Sequence, residues 1–445
     1  MSRQFWVSSC AVAALFVSSA VAQNVDWTPL SPTTPLPQRA AMASAYDPVS
    51  TKLIVFGGFD ASSYSSETWA FDGVTWSLLS PPTSPSARAA ASMAFDSATQ
   101  TIVLFGGFNG SKYLGDTWTF DGATTTWTKE SPSKSPKGVT EPMAFTDPVN
   151  GHATVYGGFD GAFYQSKTWQ WTGTDWSNLN PKNAPTARSS ALVALDPVHG
   201  NVVLFGGLGS VNPNNTWTWD GTDWSLRSPL AQPPLRYDSA AAFDPHLGAV
   251  VAFGGGSGGS DLNDTWAWDG ANWRKLQPTN APAARESFAM AYDAALDRVI
   301  VAGGWDNKTF QTDTWEFEYF GTFLSIGPGI GGALGPPTLD GSGDLTPGST
   351  TGFTLAIGNA PANDPTFLLA SVSQAAIPFK GGTLYPFPIQ VIVPMQTDAS
   401  GNASISAAIP AGVPSGTTLF VQAWMPDPLA PKGMSGTNGL EAIVP

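Results

Sequence analysis

Residues 102–127 read IVLFGGFNGSKYLGDTWTFDGATTTW. The second half, DTWTFDGATTTW (116–127), fits two descriptions. With two tryptophans, two aspartates and a threonine run it has the chemistry of a sugar-binding groove with acid–base groups. It also has the form of a plain β-hairpin, two short strands around Asp121-Gly122. The rest of the chain decides between them, because the pattern returns.

An apolar run ending in Gly-Gly occurs six times, as LIVFGG, IVLFGG, ATVYGG, VVLFGG, VVAFGG and VIVAGG, with first glycines at 57, 106, 157, 206, 254 and 303. A Thr-Trp follows each, with tryptophan at 69, 118, 169, 217, 266 and 315, and a second series runs 27, 76, 127, 176, 224 and 273. Two independent markers holding one period of about 50 residues define a repeat, and repeats of this length point to propellers or arrays. Each copy reads as four strands. Strand a resembles RAAASMAFD (88–96) and strand b is the apolar run into Gly-Gly. Strand c is the Thr-Trp segment, and strand d begins at the second tryptophan. Asp-Pro-type turns such as LDPVHG join a to b, and Asp-Gly at 72–73, 121–122, 220–221 and 269–270 joins c to d, where it suits a tight hairpin. Pro-rich stretches such as NPKNAPTAR link one copy to the next. Strand period puts Trp118 and Phe120 on one face and Thr117 and Thr119 on the other. Large faces packing on small faces of the next copy make the tryptophans core.

Gly-Gly after strand b and Trp after it, at this period, resembles the Kelch repeat over roughly residues 24–320. The resemblance implies an all-β fold, a six-bladed propeller of four-stranded blades around a channel. The first strand-d segment, Trp27-Thr28-Pro29-Leu30, precedes every strand a, and the sixth strand c at Trp315 lacks the usual turn after it. The N-terminal strand is therefore expected to complete blade six. The rival closure takes TFLSI (322–326) as the last outer strand.

Near residue 321 the repeat stops. Residues 321–345 are Gly/Pro-rich and read as linker and domain entry; residues 346–445 hold alternating apolar runs such as GFTLAIGNA and TLFVQAWMP, a β-sandwich pattern. This region is similar to a C-terminal module of secreted proteins of planctomycetes and related bacteria, which implies an extracytoplasmic protein and attachment or sorting, with no activity. Residues 1–22 read as a secretory signal, with Arg3, an apolar core and Ala20-Val21-Ala22 before Gln23. The propeller then spans 23–320. The only cysteine, Cys10, lies in the signal, which leaves no disulfide or thiol chemistry after cleavage. No later run is long and apolar enough to span a bilayer as a helix. The net charge of −14 becomes −15 without Arg3 and disfavours nucleic acid and anionic membranes. Gly (47) and Pro (38) are abundant, but 42% hydrophobic content argues for a folded, turn-rich chain.

His152, His199 and His246 are spaced by about one repeat, which places them in different blades, and no cofactor or metal is expected. DGSGDL (340–345) is better read as a Gly-rich turn than as a calcium loop. No G-x-S-x-G occurs. The Asp-Gly-x-x-Trp string resembles part of the Asp-box of sialidases, itself a turn motif. Galactose oxidase carries Kelch blades too, but its copper site needs a cysteine that the chain lacks once the signal is removed.

An arginine lies seven residues before the strand-a aromatic or leucine, at Arg39, Arg88, Arg188, Arg236 and Arg285; by the same count copy three has Gly138, with Lys137 beside it. These sit before the innermost strand, near the channel mouth. Two readings stay open. The arginines form a ring for carboxylates or phosphates, as the resemblance to Kelch adaptors of acidic peptides implies, or each pairs with an aspartate of its own or a neighbouring blade. The loops between Gly-Gly and Thr-Trp vary most, and Tyr64, Tyr113, Tyr164 and Phe310 there are expected to meet a partner. The expected function is non-enzymatic binding of a protein or glycan ligand, acidic ones best suiting the arginines, by a secreted or cell-surface protein. The alternatives are an enzyme on sugar acids, resembling sialic-acid epimerases with Glu141 or Glu286 near the site, and a structural cell-surface spacer.

Overall fold

The computed structural model describes residues 25–211, 213–319, 322–326, 329–331, 335–380, 382–386, 388–414 and 416–444. The segment read as a signal, with Cys10, lies outside these. Two compact units are present, one over Val25–Phe320 and one taking Gly321–Pro445. Among the described residues regular structure is strand, apart from the 3-10 turn Pro431–Gly433. No described helix is long and apolar enough to cross a membrane.

Among the described residues the first unit holds six four-stranded antiparallel sheets. The sheet containing the opening stretch runs Ala89–Asp96, Thr101–Phe108, Thr117–Asp121 and Thr126–Lys129, the expected order a to d. Copy three has Met143–Thr146, Ala153–Tyr156, Thr168–Trp171 and Trp176–Asn178 in the same order. In the last sheet, Ala289–Asp293, Arg298–Ala302 and Thr314–Tyr319 are joined by Val25–Leu30, with Val25 opposite Tyr319 and Leu30 opposite Thr314. Each inner strand also lies beside the inner strands of the neighbouring sheets, and Ala289–Asp293 lies beside Ala43–Asp47. The arrangement is all-β and fits a propeller.

Sheets pack large on small. Ala43, Ala45 and Ala70 of one sheet meet Trp118, Phe120 and Trp127 of the next in one buried cluster. Full burial of one such aromatic side chain stabilises by about 1.5–3 kcal/mol or more. The strand-d tryptophans also carry a bond between sheets. Each indole N–H donates to the hydroxyl of the threonine opening strand c one sheet back: Trp127 to Thr68 (2.9 Å), Trp176 to Thr117 (2.8 Å), Trp224 to Thr168 (3.0 Å) and Trp273 to Thr216 (2.9 Å). Trp76 reaches Thr314 and Trp27 reaches Thr265, both at 2.9 Å, so residue 27 fills the strand-d slot of the last sheet. DTWTFDGATTTW is thus a hairpin: Trp127 is buried, Trp118 nearly so, and Asp121 accepts the backbone N–H groups of Ala123 (2.9 Å) and Thr124 (3.3 Å). The turn differs from its sisters. Gly73, Gly221 and Gly270 take a positive φ, whereas with two extra residues in copy two Thr125 does so in place of Gly122.

Among the described residues the second unit has two larger antiparallel sheets on one core and a two-stranded one, Gln374–Phe379 with Gly382–Pro386. One runs Thr322–Ile326, Gly439–Ile443, Thr418–Pro426, Pro365–Ser371 and Val391–Gln396, with Met434–Gly436 beside Thr418–Pro426; the other runs Thr338–Gly343, Phe353–Gly358 and Ala403–Ala407. Leu339, Leu355, Ile357, Leu368, Val421 and Leu440 share that core. Part of the stretch expected as linker is therefore strand. Thr322–Ile326 pairs with Gly439–Ile443, and Thr338–Gly343 pairs with Phe353–Gly358 because Leu339 has a core to enter.

Candidate functional site at the channel mouth

The repeated arginines are buried. Arg88, Arg188, Arg236 and Arg285 are 0% exposed and Arg39 is 7% exposed. Each donates from Nη1 to the carbonyl of the first glycine in its own Gly-Gly, 18 residues on: Gly57 (3.2 Å), Gly106 (3.1 Å), Gly206, Gly254 and Gly303 (3.0 Å each). Each also reaches the residue two before the strand-c tryptophan. Arg39 meets Glu67 (2.6 Å), Arg88 meets Asp116 (2.7 Å), Arg236 meets Asp264 (3.0 Å), Arg285 meets Asp313 (2.6 Å), and Arg188 meets the amide oxygen of Asn215 (3.0 Å). The same carboxylates accept the indole N–H of Trp69, Trp118, Trp266 and Trp315 at 2.7–2.9 Å. Despite burial, which works the other way, these partners hold the Glu67, Asp116, Asp264 and Asp313 carboxyls below their usual range. The guanidinium groups are consumed inside the sheets. In place of an arginine ring open to a ligand, the structure has five internal clamps. The close backbone approach they fix leaves no room for a side chain: a Cβ on Gly57, at φ +73°, would sit 2.4 Å from the carbonyl oxygen of Arg88.

Copy three is displaced by one residue from the sequence count. The backbone carbonyls receiving the second glycine N–H belong to Arg88, Arg188, Arg236, Arg285, Arg39 and, in copy three, Val139. Val139, not Gly138, holds the slot. The seven-residue offset fails because Thr146 stands between Phe145 and Asp147, where the other copies have Asp directly after the aromatic or leucine.

Two residues past each slot stand Ala41, Ala90, Glu141, Ser190, Asp238 and Ser287. All six have φ between 49° and 57°, a conformation costly for non-glycine residues. Each donates its N–H to the carbonyl of its counterpart one copy back: Ala90 to Ala41 (2.7 Å), Glu141 to Ala90 (2.8 Å), Ser190 to Glu141 (3.2 Å), Asp238 to Ser190 (2.9 Å), Ser287 to Asp238 (2.8 Å) and Ala41 to Ser287 (2.8 Å). These bonds return to their starting residue and hold the strained backbone in place.

The ring encloses a cavity of about 220 Å³ whose lining includes Glu141, Asp238, Ser190 and Ser287 and contains no lysine or arginine. Ser189 and Ser190 hydroxyls both donate to Glu141 Oε2, at 2.8 and 2.5 Å. Burial, then the Glu141 and Glu286 carboxylates, push Asp238 well above the usual carboxylate range. Burial, then Asp261 and Glu141, raise Glu286. The mouth is acidic, and its acids repel one another.

The varied loops surround this mouth. Phe59, Phe159 and Trp305 bridge to Ala40, Thr140 and Glu286, each one residue before a ring position. Tyr64, Tyr113, Tyr164 and Phe310 pack in tilted pairs against Phe59, Phe108, Phe159 and Trp305 with centroids 4.5–5.1 Å apart. The pairs join in turn: Phe310 with Phe59 (6.2 Å), Tyr64 with Phe108 (6.0 Å) and Tyr113 with Phe159 (5.9 Å). Eight rings thus form an arc over copies six, one, two and three. Copies four and five carry Leu208 and Gly256 where the others have aromatics. The four loop aromatics named from sequence belong to one surface, supported from behind.

The histidines pair separately, His152 with Asp96 (3.1 Å), His199 with Asp196 (2.8 Å) and His246 with Asp297 (2.8 Å). Among the described residues no group of three or more His, Cys, Asp or Glu could hold a metal ion.

Residues 12–207 match the family model of the KLHDC2/KLHL20/DRC7 Kelch-repeats domain. No curated protein matches the chain. The bonding seen in the matched copies continues through the later ones, which supports a Kelch-type repeat, and such a repeat suggests a role in protein interaction.

Proposed function

We propose that residues 23–320 form a six-bladed Kelch propeller closed by its N-terminal strand, and that the face bearing the aromatic arc binds a protein partner through a cationic side chain at the channel mouth. Six four-stranded sheets, the pairing of Val25–Leu30 with Thr314–Tyr319, and the bonds that return to Ala41 support the architecture. The observation that carries the function is the acidic mouth, Glu141 and Asp238 in the cavity and Glu286 beside it, flanked by eight rings in contact. Clustered carboxylates gain from a lysine or arginine that separates them, and aromatic rings serve as anchors at protein interfaces. This reading favours a basic segment over the acidic ligand expected from the arginines, because those arginines are internal. For the same reason the sugar-acid alternative lacks a cationic group among the cavity-lining residues to hold a substrate carboxylate.

The protein is proposed to be secreted, with residues 1–22 as signal and Gln23 as the mature first residue, and the C-terminal unit to be a β-sandwich module of an extracytoplasmic bacterial protein. N-terminal sequencing of the exported chain tests the first point. For the ligand, the purified protein is offered to arrays of basic, acidic and neutral peptides and of glycans. Basic peptides should bind, more weakly at high salt, and at least tenfold more weakly to Glu141→Gln/Asp238→Asn. Preference for glycans or acidic peptides, or indifference to that double variant, would overturn the reading.

A further inference from the structure

Copy three breaks the clamp at both ends. In copies one, two, five and six an arginine, a carboxylate and an indole N–H meet, the carboxylate lying 28 residues after the arginine and two before the tryptophan. In copy three the arginine slot is Val139, and the carboxylate position, 28 residues on, is Lys167. The tryptophan is kept as Trp169, half-buried, and its indole makes no hydrogen bond among the described residues. Where the guanidinium and carboxylate would lie there is a cavity of about 130 Å³, lined among others by Phe105, Lys137, Val139, Gln165, Lys167 and Trp169.

We infer that this socket binds a carboxylate supplied from outside, taking the place of the carboxylate that copies one, two, five and six supply from within. Trp169 Nε1–H corresponds to the indole donor that meets a carboxylate oxygen in those four copies. Lys167 is exposed, forms no ion pair among the described residues, and supplies the positive charge that the arginine supplies elsewhere. Val139 and Phe105 give an apolar wall for the stem of the acid. The neighbouring Asp160 does not fill the position. It lies at the tip of its own loop, where it accepts from Lys137, from Gln165 Nε2 (2.9 Å) and from the backbone N–H groups of Ala162 (2.8 Å) and Phe163 (2.7 Å). A charge-assisted bond from an indole and an ammonium suits a single carboxylate on a short arm, the chemistry of an aspartate or glutamate side chain or of a chain terminus. The site is separate from the channel mouth and does not rest on the function proposed for it.

The test uses the full protein with nitrogen-15 in its indoles, the Trp169 resonance being assigned by its loss in Trp169→Phe. Three short peptides serve as probes. One has an internal glutamate and an amidated end, one has glutamine there with an amidated end, and one has glutamine with a free C-terminus. At least one carboxylate-bearing peptide should shift the Trp169 N–H signal in a saturable way, and which of the two does so identifies the source. The fully amidated glutamine peptide should not shift it. Lys167→Gln should weaken binding at least tenfold. Val139→Arg/Lys167→Asp rebuilds the arrangement that copies one, two, five and six already fold with, so it should remain folded and abolish the shift. No saturable shift with either carboxylate peptide, or an undiminished one in the rebuilt variant, would overturn the inference.

Discussion

The inner edge of the repeats and the loops above it are built from the same period and used in opposite ways. At the inner edge the bonds repeat while the residues vary. Ala41, Ala90, Glu141, Ser190, Asp238 and Ser287 share no side-chain chemistry, yet all six make the same backbone bond at the same positive φ. In the loops the rings repeat in four copies and stop in two, and what they stack on differs between Phe and Trp. Six-fold identity of bonding fixes a frame, and departures from it mark where one copy does something its sisters do not.

That contrast can be broken most severely at a clamp. Arg88→Ala leaves Asp116 and the Gly106 carbonyl without their buried partner, and loss of one member of a buried pair costs about 3–5 kcal/mol. Urea unfolding should show it. A smaller loss is expected for Trp127→Phe, which keeps most of the ring but deprives the buried Thr68 of its donor; about 1–3 kcal/mol follows from an unmade buried hydrogen bond. Both changes should act alike at equivalent positions in other copies.

A third change separates one seam from the others by pH. Glu316, on the strand beside Val25–Leu30, is pushed up to about 7 by burial and then by Glu318. Its folded pKa lies above the unfolded value, so its contribution is fully present below about pH 4.5 and is lost as pH rises through 7. Glu316→Gln should flatten this part of the stability–pH curve, by about 1 kcal/mol after allowance for solvent screening. The smallest effect is expected in the loops. Phe163 is 72% exposed, and Phe163→Ser should change stability by less than about 0.5 kcal/mol. A loss as large as that of a clamp would remove the distinction between frame and loop.

The strands were legible because two tryptophan series and Gly-Gly keep one spacing, and Trp27 announces its place by belonging to the second series. The arginine positions were equally plain, and pairing with an aspartate was one of the two readings they allowed, though which acids serve stayed open. The signal was available: Glu67, Asp116, Asp264 and Asp313 each stand two before a strand-c tryptophan, 28 residues after an arginine. Counting back from Asp147 would also have put Val139 in the slot. The acidic mouth was harder to see. Nothing in alanine, glutamate, serine and aspartate at matching positions betrays a shared left-handed backbone, since that conformation comes from neighbouring copies and not from local preference. The aromatic arc was half visible, as tyrosines in variable loops; that the rings touch end to end depends on how the sheets fan out.

The pairing of Val25–Leu30 with Thr314–Tyr319 also orders events in time. Thr28 and Glu318 bond across 290 residues, so the earliest described strand to leave the ribosome waits for almost the last residues of the unit before it has a partner. Contacts this distant in sequence form slowly, and exposed strand edges invite association in the interval. A nascent chain halted before Thr314 has five sheets with all four strands made and a sixth that must wait. That interval is the natural window for a holding chaperone to act.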